Sequence, residues 1–101
     1  MKQFDRIGTI KALGEESRLR ILRGLLNGSH SVNDLATSLG LSTYNTSKHL
    51  RILKDAGLVE CEKHGQQRLY AIAADLRLHL AANSQVLDLG CCLFRFDQLL
   101  D

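Results

Sequence analysis

Apolar positions recur every three or four residues through the first half of the chain, then switch to an alternating pattern just past residue 57. Phe4, Ile7, Ile10 and Leu13 predict a first amphipathic helix that ends at Gly14. The stretch EESRLRILRGLL carries Leu19, Leu22, Leu25 and Leu26 at helical spacing, and Glu15 and Glu16 stand at its start, where the positive end of the helix dipole favours acids. Asn27-Gly28 terminates it. Ser31 is the expected N-cap of VNDLATSLG, with Val32, Leu35, Ala36 and Leu39 on one face, Asp34 completing a capping-box-like pattern and Gly40 as the stop. Ser42 caps a fourth helix, TYNTSKHLRILKDAG, in which Leu50 and Leu53 face inward, with Thr46 or His49 one turn back.

Two short helices joined by Gly40-Leu41 form the pattern of a helix-turn-helix. LVECEK and RLYAIA then read as two extended runs around His64-Gly65, with Val59, Cys61 and Lys63 on one face, which predicts a β-hairpin wing. Asp75 is the expected N-cap of a final helix, LRLHLAANSQVL, which Asn83-Ser84 can break early. The predicted fold is mainly α with a small β-hairpin: a single winged helix-turn-helix domain over 1–101, with the helix-turn-helix at 31–56, the wing at 58–72 and a C-terminal helix and tail at 75–101.

A chain of 101 residues, 45% apolar and 24% charged, fits one ordered domain with a modest core, so a homodimer is expected. No apolar run is long enough to cross a membrane, and MKQFDRIG lacks the apolar stretch of a secretory signal, so the expected location is cytoplasmic. The three cysteines are then reduced rather than bridged. A net charge of +2 permits nucleic-acid binding without demanding it. There is no nucleophile–base pair with a third partner and no glycine-rich phosphate loop, so the chain is not expected to be an enzyme.

The fourth helix carries small polar donors near its N-terminus, suited to base edges, and cations suited to phosphates. Ser42, Thr43, Tyr44, Asn45, Ser47 and Lys48 are the candidate DNA contacts. Asn45 suits adenine, Tyr44 a sugar or thymine methyl, and Arg51 with Arg68 on the wing suits phosphate. The bland reading is a solvated polar face; the wing that follows the helix favours DNA.

The stretch LSTYNTSKHLRILKDAGLVE resembles the recognition helix and following strand of the ArsR/SmtB family of winged-helix repressors. The resemblance covers roughly residues 4–80 and extends to EESRLRILRGLL and the basic hairpin KHGQQRLY. It implies a homodimer on double-stranded operator DNA, with recognition helices in adjacent major grooves and wings on the flanking backbone. It also implies repression that is relieved when a ligand binds.

Two metal sites known in the family do not match. Ser31 and Asn33 stand where many members carry Cys-x-Cys, and neither is a soft ligand. Asp75 and His79 are the only counterparts of the zinc ligands on the last helix, with no second histidine after them. His30, His49 and His64 read as loop, helix and wing-turn residues.

Cys91 and Cys92 are left as the unusual chemistry, and three readings compete. They pack an interface with Leu93, Phe94 and Phe96; they form a redox switch, although adjacent Cα atoms ~3.8 Å apart strain a disulfide; or they grip one soft atom. In the last reading Gly90 lets both thiols aim at the ligand and a nearby Arg95 favours thiolate. No resident cofactor is required; the inducer is a trivalent arsenical or another thiophilic metal ion, with Cys61 as candidate third thiol. The leading expectation is therefore a repressor released by such a ligand. Its rivals are a redox-sensing repressor and, from another class, a winged-helix protein-interaction module.

Overall fold

The computed structural model describes residues 6–99. Four helices lead: α1 (Arg6–Leu13), α2 (Glu16–Leu25), α3 (Val32–Leu39) and α4 (Thr43–Asp55). Strands β1 (Val59–His64) and β2 (Gln67–Ile72) follow, then α5 (Ala74–Ala82), strands β3 (Val86–Asp88) and β4 (Leu93–Arg95), and a 3-10 turn at Phe96–Gln98.

Local chemistry sets the helix boundaries. Ser31 Oγ accepts the Asp34 N–H at 3.1 Å and Ser42 Oγ accepts the Asn45 N–H at 3.0 Å. Each such cap stabilises its helix by about 1 kcal/mol. Gly40 takes a left-handed φ of 68°, which lets the Leu41 N–H close onto the Ala36 carbonyl at 2.9 Å. That tight end turns the chain directly from α3 into α4.

The core is a continuous cluster in which Ile21 and Leu22 of α2 meet Leu50 and Leu53 of α4, with Leu58, Leu76 of α5 and Phe96 of the tail. The α1 face differs from expectation. Ile7 is 59% exposed, whereas Thr9, Ala12 and Leu13 are buried. A three-residue repeat falls short of the helical period, so at ~100° per residue Ile7 and Leu13 end up about 120° apart around the axis. Phe4 lies outside the described residues. Leu26 likewise leaves the α2 face, since it forms the C-cap and is partly exposed.

The wing runs in register from Val59↔Ile72 to His64↔Gln67. Its two turn residues are therefore Gly65 and Gln66, one place beyond the expected His64-Gly65. His30 and Tyr70 exchange both backbone hydrogen bonds, at 2.9 and 2.8 Å, so the α2–α3 loop is stitched to the wing.

Asp75 is not the cap of α5. Ala73 occupies that position, its own N–H held by the Leu58 carbonyl at 2.9 Å, and Asp75 lies in the first helical turn. The capping acceptor comes from the wing: Glu60 Oε1 accepts the Ala74 N–H at 3.1 Å. At the far end, Ser84 and Gln85 adopt left-handed φ values of 56° and 65°, so the helix stops and Val86–Asp88 leaves as β3. A second hairpin thus joins the one expected. β3 and β4 pair antiparallel, with Leu87, Leu89, Phe96 and Leu99 buried. The Phe96 N–H donates to the Gln85 carbonyl at 2.8 Å and Arg23 of α2 donates to the Leu99 carbonyl at 3.2 Å, docking the tail onto the helices.

Candidate nucleic-acid interface and cysteine turn

The helical period divides α4 into two faces. Thr46, Leu50 and Leu53 are buried, while Ser42, Thr43, Tyr44, Asn45, Ser47, Lys48 and Arg51 are all exposed, Tyr44 to 75%. Thr46 Oγ1 donates to the Ser42 carbonyl at 2.8 Å, which anchors the first turn from the buried side. The polar side chains singled out from sequence therefore share the outer side of a helix whose inner side is fixed in the core.

Behind them, Arg18 ties three elements together. Its Nε and Nη2 donate to the carbonyls of Ala12 at 2.7 Å and Lys11 at 3.1 Å, capping the end of α1, and its Nη1 lies 3.3 Å from His49 Nδ1 on α4. Glu15, the N-cap of α2, is 3.7 Å from the same ring nitrogen. Partial burial pushes the Glu15 carboxyl up. Backbone N–H donors from Ser17 and Arg18 and the charges of His49 and Arg18 outweigh that, holding it below the usual carboxylate range. His49 thus acts as a buttress of α4, half-buried behind the outer face.

A cleft of about 610 Å³ runs between α4 and the wing, lined by Tyr44, Ser47, Lys48, Arg51, Lys54 and Tyr70 among others. Three cations with one acid, Asp55, make its wall predominantly positive. Lys54 and Tyr70 were not among the sequence candidates. Lys54 was findable, because it follows Arg51 by three residues on one helical face; Tyr70 reaches the cleft only through strand pairing. Arg68 does not line this cleft. It is exposed further out on the wing, opposite Lys63, whose two neighbours in the strand, Glu62 and His64, pair at 3.0 Å.

Cys61 lies opposite Tyr70 across the hairpin. Burial, followed by a hydrogen bond with the Cys61 thiol, pushes the Tyr70 phenol above its ordinary range.

Cys91 and Cys92 lie in the turn between β3 and β4. The Leu89 N–H donates to the Cys92 carbonyl at 3.0 Å, Gly90 adopts φ 86°, and its N–H donates to Asp88 Oδ1 at 2.8 Å. The two sulfurs stand 3.9 Å apart, one thiol donating to the other, with Cys91 exposed and Cys92 half-buried. Loss of solvent, the hydrogen bond with Cys91, and the charges of Cys91 and Asp88 all raise the Cys92 thiol above its usual range. Arg95 does not counter this as expected, because it pairs with Asp97 at 3.1 Å. Among the described residues no three Cys, His, Asp or Glu side chains gather as a metal-ligand group, so Cys61 is not brought to the tail pair within one chain. Phe96, expected beside an interface, is buried in the chain's own core.

The sequence profile described as "Bacterial regulatory protein, arsR family" matches residues 15–60. The HTH-type transcriptional regulator Rv0324 of Mycobacterium tuberculosis is 37% identical over 86 residues, covering 85% of this chain and 37% of that protein. The match spans 53% of the M. tuberculosis regulator NmtR and of the M. bovis regulator CmtR, and 86% of the Methanocaldococcus jannaschii regulator MJ1325. Among solved structures, the homodimeric winged helix-turn-helix DNA-binding domain Mb0332 of Mycobacterium bovis, described as a possible ArsR-family transcriptional regulator, has a TM-score of 0.67 and 38% identity. The match covers 79% of this chain and 72% of that one. A structure described as a possible transcriptional regulator for arsenical resistance has a TM-score of 0.64 and 32% identity, over 76% and 82% of the two chains.

Proposed function

Since the chain belongs to the arsR family of bacterial regulatory proteins, we propose that it is a cytoplasmic, homodimeric transcriptional repressor, released from operator DNA when a thiophilic metal or metalloid binds Cys91 and Cys92. A trivalent arsenical is the preferred inducer. The DNA half of this reading rests on the cleft between α4 and the wing, where Lys48, Arg51 and Lys54 supply charge beside the exposed Asn45 and Tyr44. Cations on one wall account for phosphate attraction, and the polar helix face accounts for base contact. Arg68 and Lys63 extend the positive surface along the wing.

The observation that carries the inducer half is the 3.9 Å separation of the two sulfurs. A soft atom bound at roughly 2.3 Å from each sulfur fits that spacing with a bent geometry, whereas a linear arrangement needs about 4.6 Å. Thiolates select soft ions over magnesium or calcium. Two thiols suffice for an arsenical that keeps one organic substituent; inorganic arsenic, which takes three sulfurs, needs a further thiol, from Cys61 of a second copy or from solution. The arsenical-resistance description of one structural neighbour supports this choice of ligand.

Release follows from the position of the turn. It is continuous with β3 and β4, and Leu87 of β3, Leu89 of the turn and the adjoining Phe96 belong to the same core as α2 and α4. Holding the turn in one conformation biases that packing, and a coupling of ~1–3 kcal/mol gives a clear change in operator affinity.

A mobility-shift assay on promoter DNA tests both halves, with arsenite, monomethylarsenite, mercury(II) and the thiol oxidant diamide as separate additions. The proposal requires DNA binding by the untreated protein and release by an arsenical, lost when Cys91 and Cys92 are both changed to Ser. Release by diamide alone would instead favour redox sensing, and failure to bind DNA at low salt would overturn the DNA half and favour a protein-interaction module.

A further inference from the structure

The strand β2 is a wall shared by two clefts. Tyr70 lines the groove beside Lys48 and Arg51, whereas the next two residues of the strand, Ala71 and Ile72, line a second cleft of about 380 Å³ between the end of α2, the wing and α5. That volume lies in the range of roughly 300–1,000 Å³ typical of small-molecule sites. Leu25, Ile72 and Leu80, all buried, form its apolar floor.

One cation stands at this cleft. Arg77 of α5 is held by a bond from its Nη1 to the Ile72 carbonyl at 3.1 Å, and among the described residues no carboxylate pairs with it. An anchored guanidinium over an apolar floor matches a molecule with a hydrophobic body and one carboxylate, since the planar fork can still donate to the two carboxylate oxygens.

We propose that this cleft is an effector site for a small apolar carboxylate, separate from the cysteine turn. Its occupant has a direct route to the DNA-facing side. Ser29 on the cleft wall precedes His30, which exchanges backbone bonds with Tyr70, and Ala71 follows Tyr70 in the strand. Filling the cleft displaces that bridge and moves Tyr70 relative to Lys48 and Arg51. The inference does not depend on what Cys91 and Cys92 bind.

Isothermal titration calorimetry of the full chain with 2-naphthoate, and with neutral 2-naphthalenemethanol, tests it. One saturable site per chain is expected for the carboxylate, with weaker binding of the alcohol. Arg77→Gln should weaken naphthoate at least tenfold, in line with loss of a charge-assisted pair. Ala81→Trp, which puts a ring into the cleft from exposed helix surface, should abolish binding while circular dichroism stays native. Amide resonances of Ala71 and Tyr70 should shift on titration. The Cys91→Ser, Cys92→Ser double variant should bind naphthoate as the wild type does, even if it also shows that the cysteines sense nothing. The proposal is overturned if naphthoate fails to saturate a single site, if folded Ala81→Trp binds it unchanged, if Arg77→Gln discriminates acid from alcohol as the wild type does, or if the Tyr70 amide does not respond.

Discussion

Glu60 of β1 caps a helix fourteen residues further along the chain, its carboxylate accepting the Ala74 N–H at 3.1 Å. The bond ties the wing to α5 and places a negative charge at the positive end of that helix. Glu60→Ala should therefore cost about 0.5–2 kcal/mol in urea unfolding. Glu60→Gln, which keeps an acceptor and loses the charge, should cost less. Equal stability of all three proteins would show that the cap contributes nothing.

The same contact explains where sequence reasoning stops. Ser31, Ser42 and Gly40 were legible because their chemistry acts within five residues, and Asn83-Ser84 marked the end of α5 for the same reason. Asp75 is the local candidate for a cap; the acceptor used comes from another element, and no local pattern reports it. Tyr70 enters the cleft for a similar non-local reason, as partner of β1 and of His30. The tail hairpin was unreadable because three-residue strands leave almost no alternation to detect. Its placement depends on Phe96 and Leu87 finding the core. Among the site residues, the exposed face of α4 could be read from the helical period alone, whereas the 3.9 Å approach of two sulfurs could not.

The cationic wall of the cleft makes the DNA proposal quantitative. Replacing Lys48, Arg51 or Lys54 singly with Ala should weaken operator binding for all sequences alike. Each lost phosphate contact should reduce the slope of log affinity against log salt by about 0.9. Asn45→Ala should behave differently, costing about 1–3 kcal/mol on the cognate site and little on unrelated DNA. Fluorescence anisotropy across a salt series separates the two classes, and a uniform loss from Asn45→Ala would remove it from base reading.

Glu15 gives the fold a pH dependence of known sign. Its carboxyl is held below its ordinary value in the folded chain, so the stability it adds is fully present above the unfolded pKa and is lost as pH falls through the lower folded value. Glu15→Gln should thus narrow the stability gap between neutral pH and the acid side of the carboxylate range. Urea midpoints measured from neutral pH downward check this; an identical pH profile for the variant would assign the acid sensitivity to other groups.

Asp88 has two opposed effects on the cysteine turn, and one substitution separates them. Its Oδ1 holds the Gly90 N–H at 2.8 Å, which shapes the turn, while its charge is among the causes that raise the Cys92 thiol. Soft ligands bind thiolate, so uptake releases protons and affinity should climb with pH to beyond the ordinary thiol range. Asp88→Asn keeps an acceptor for Gly90 and removes only the charge. Ultraviolet titration of this variant should show thiolate forming at lower pH, and monomethylarsenite should bind more tightly at neutral pH. If thiolate formation is unmoved while arsenical affinity falls, Asp88 serves the ligand directly and its charge is not what restrains Cys92.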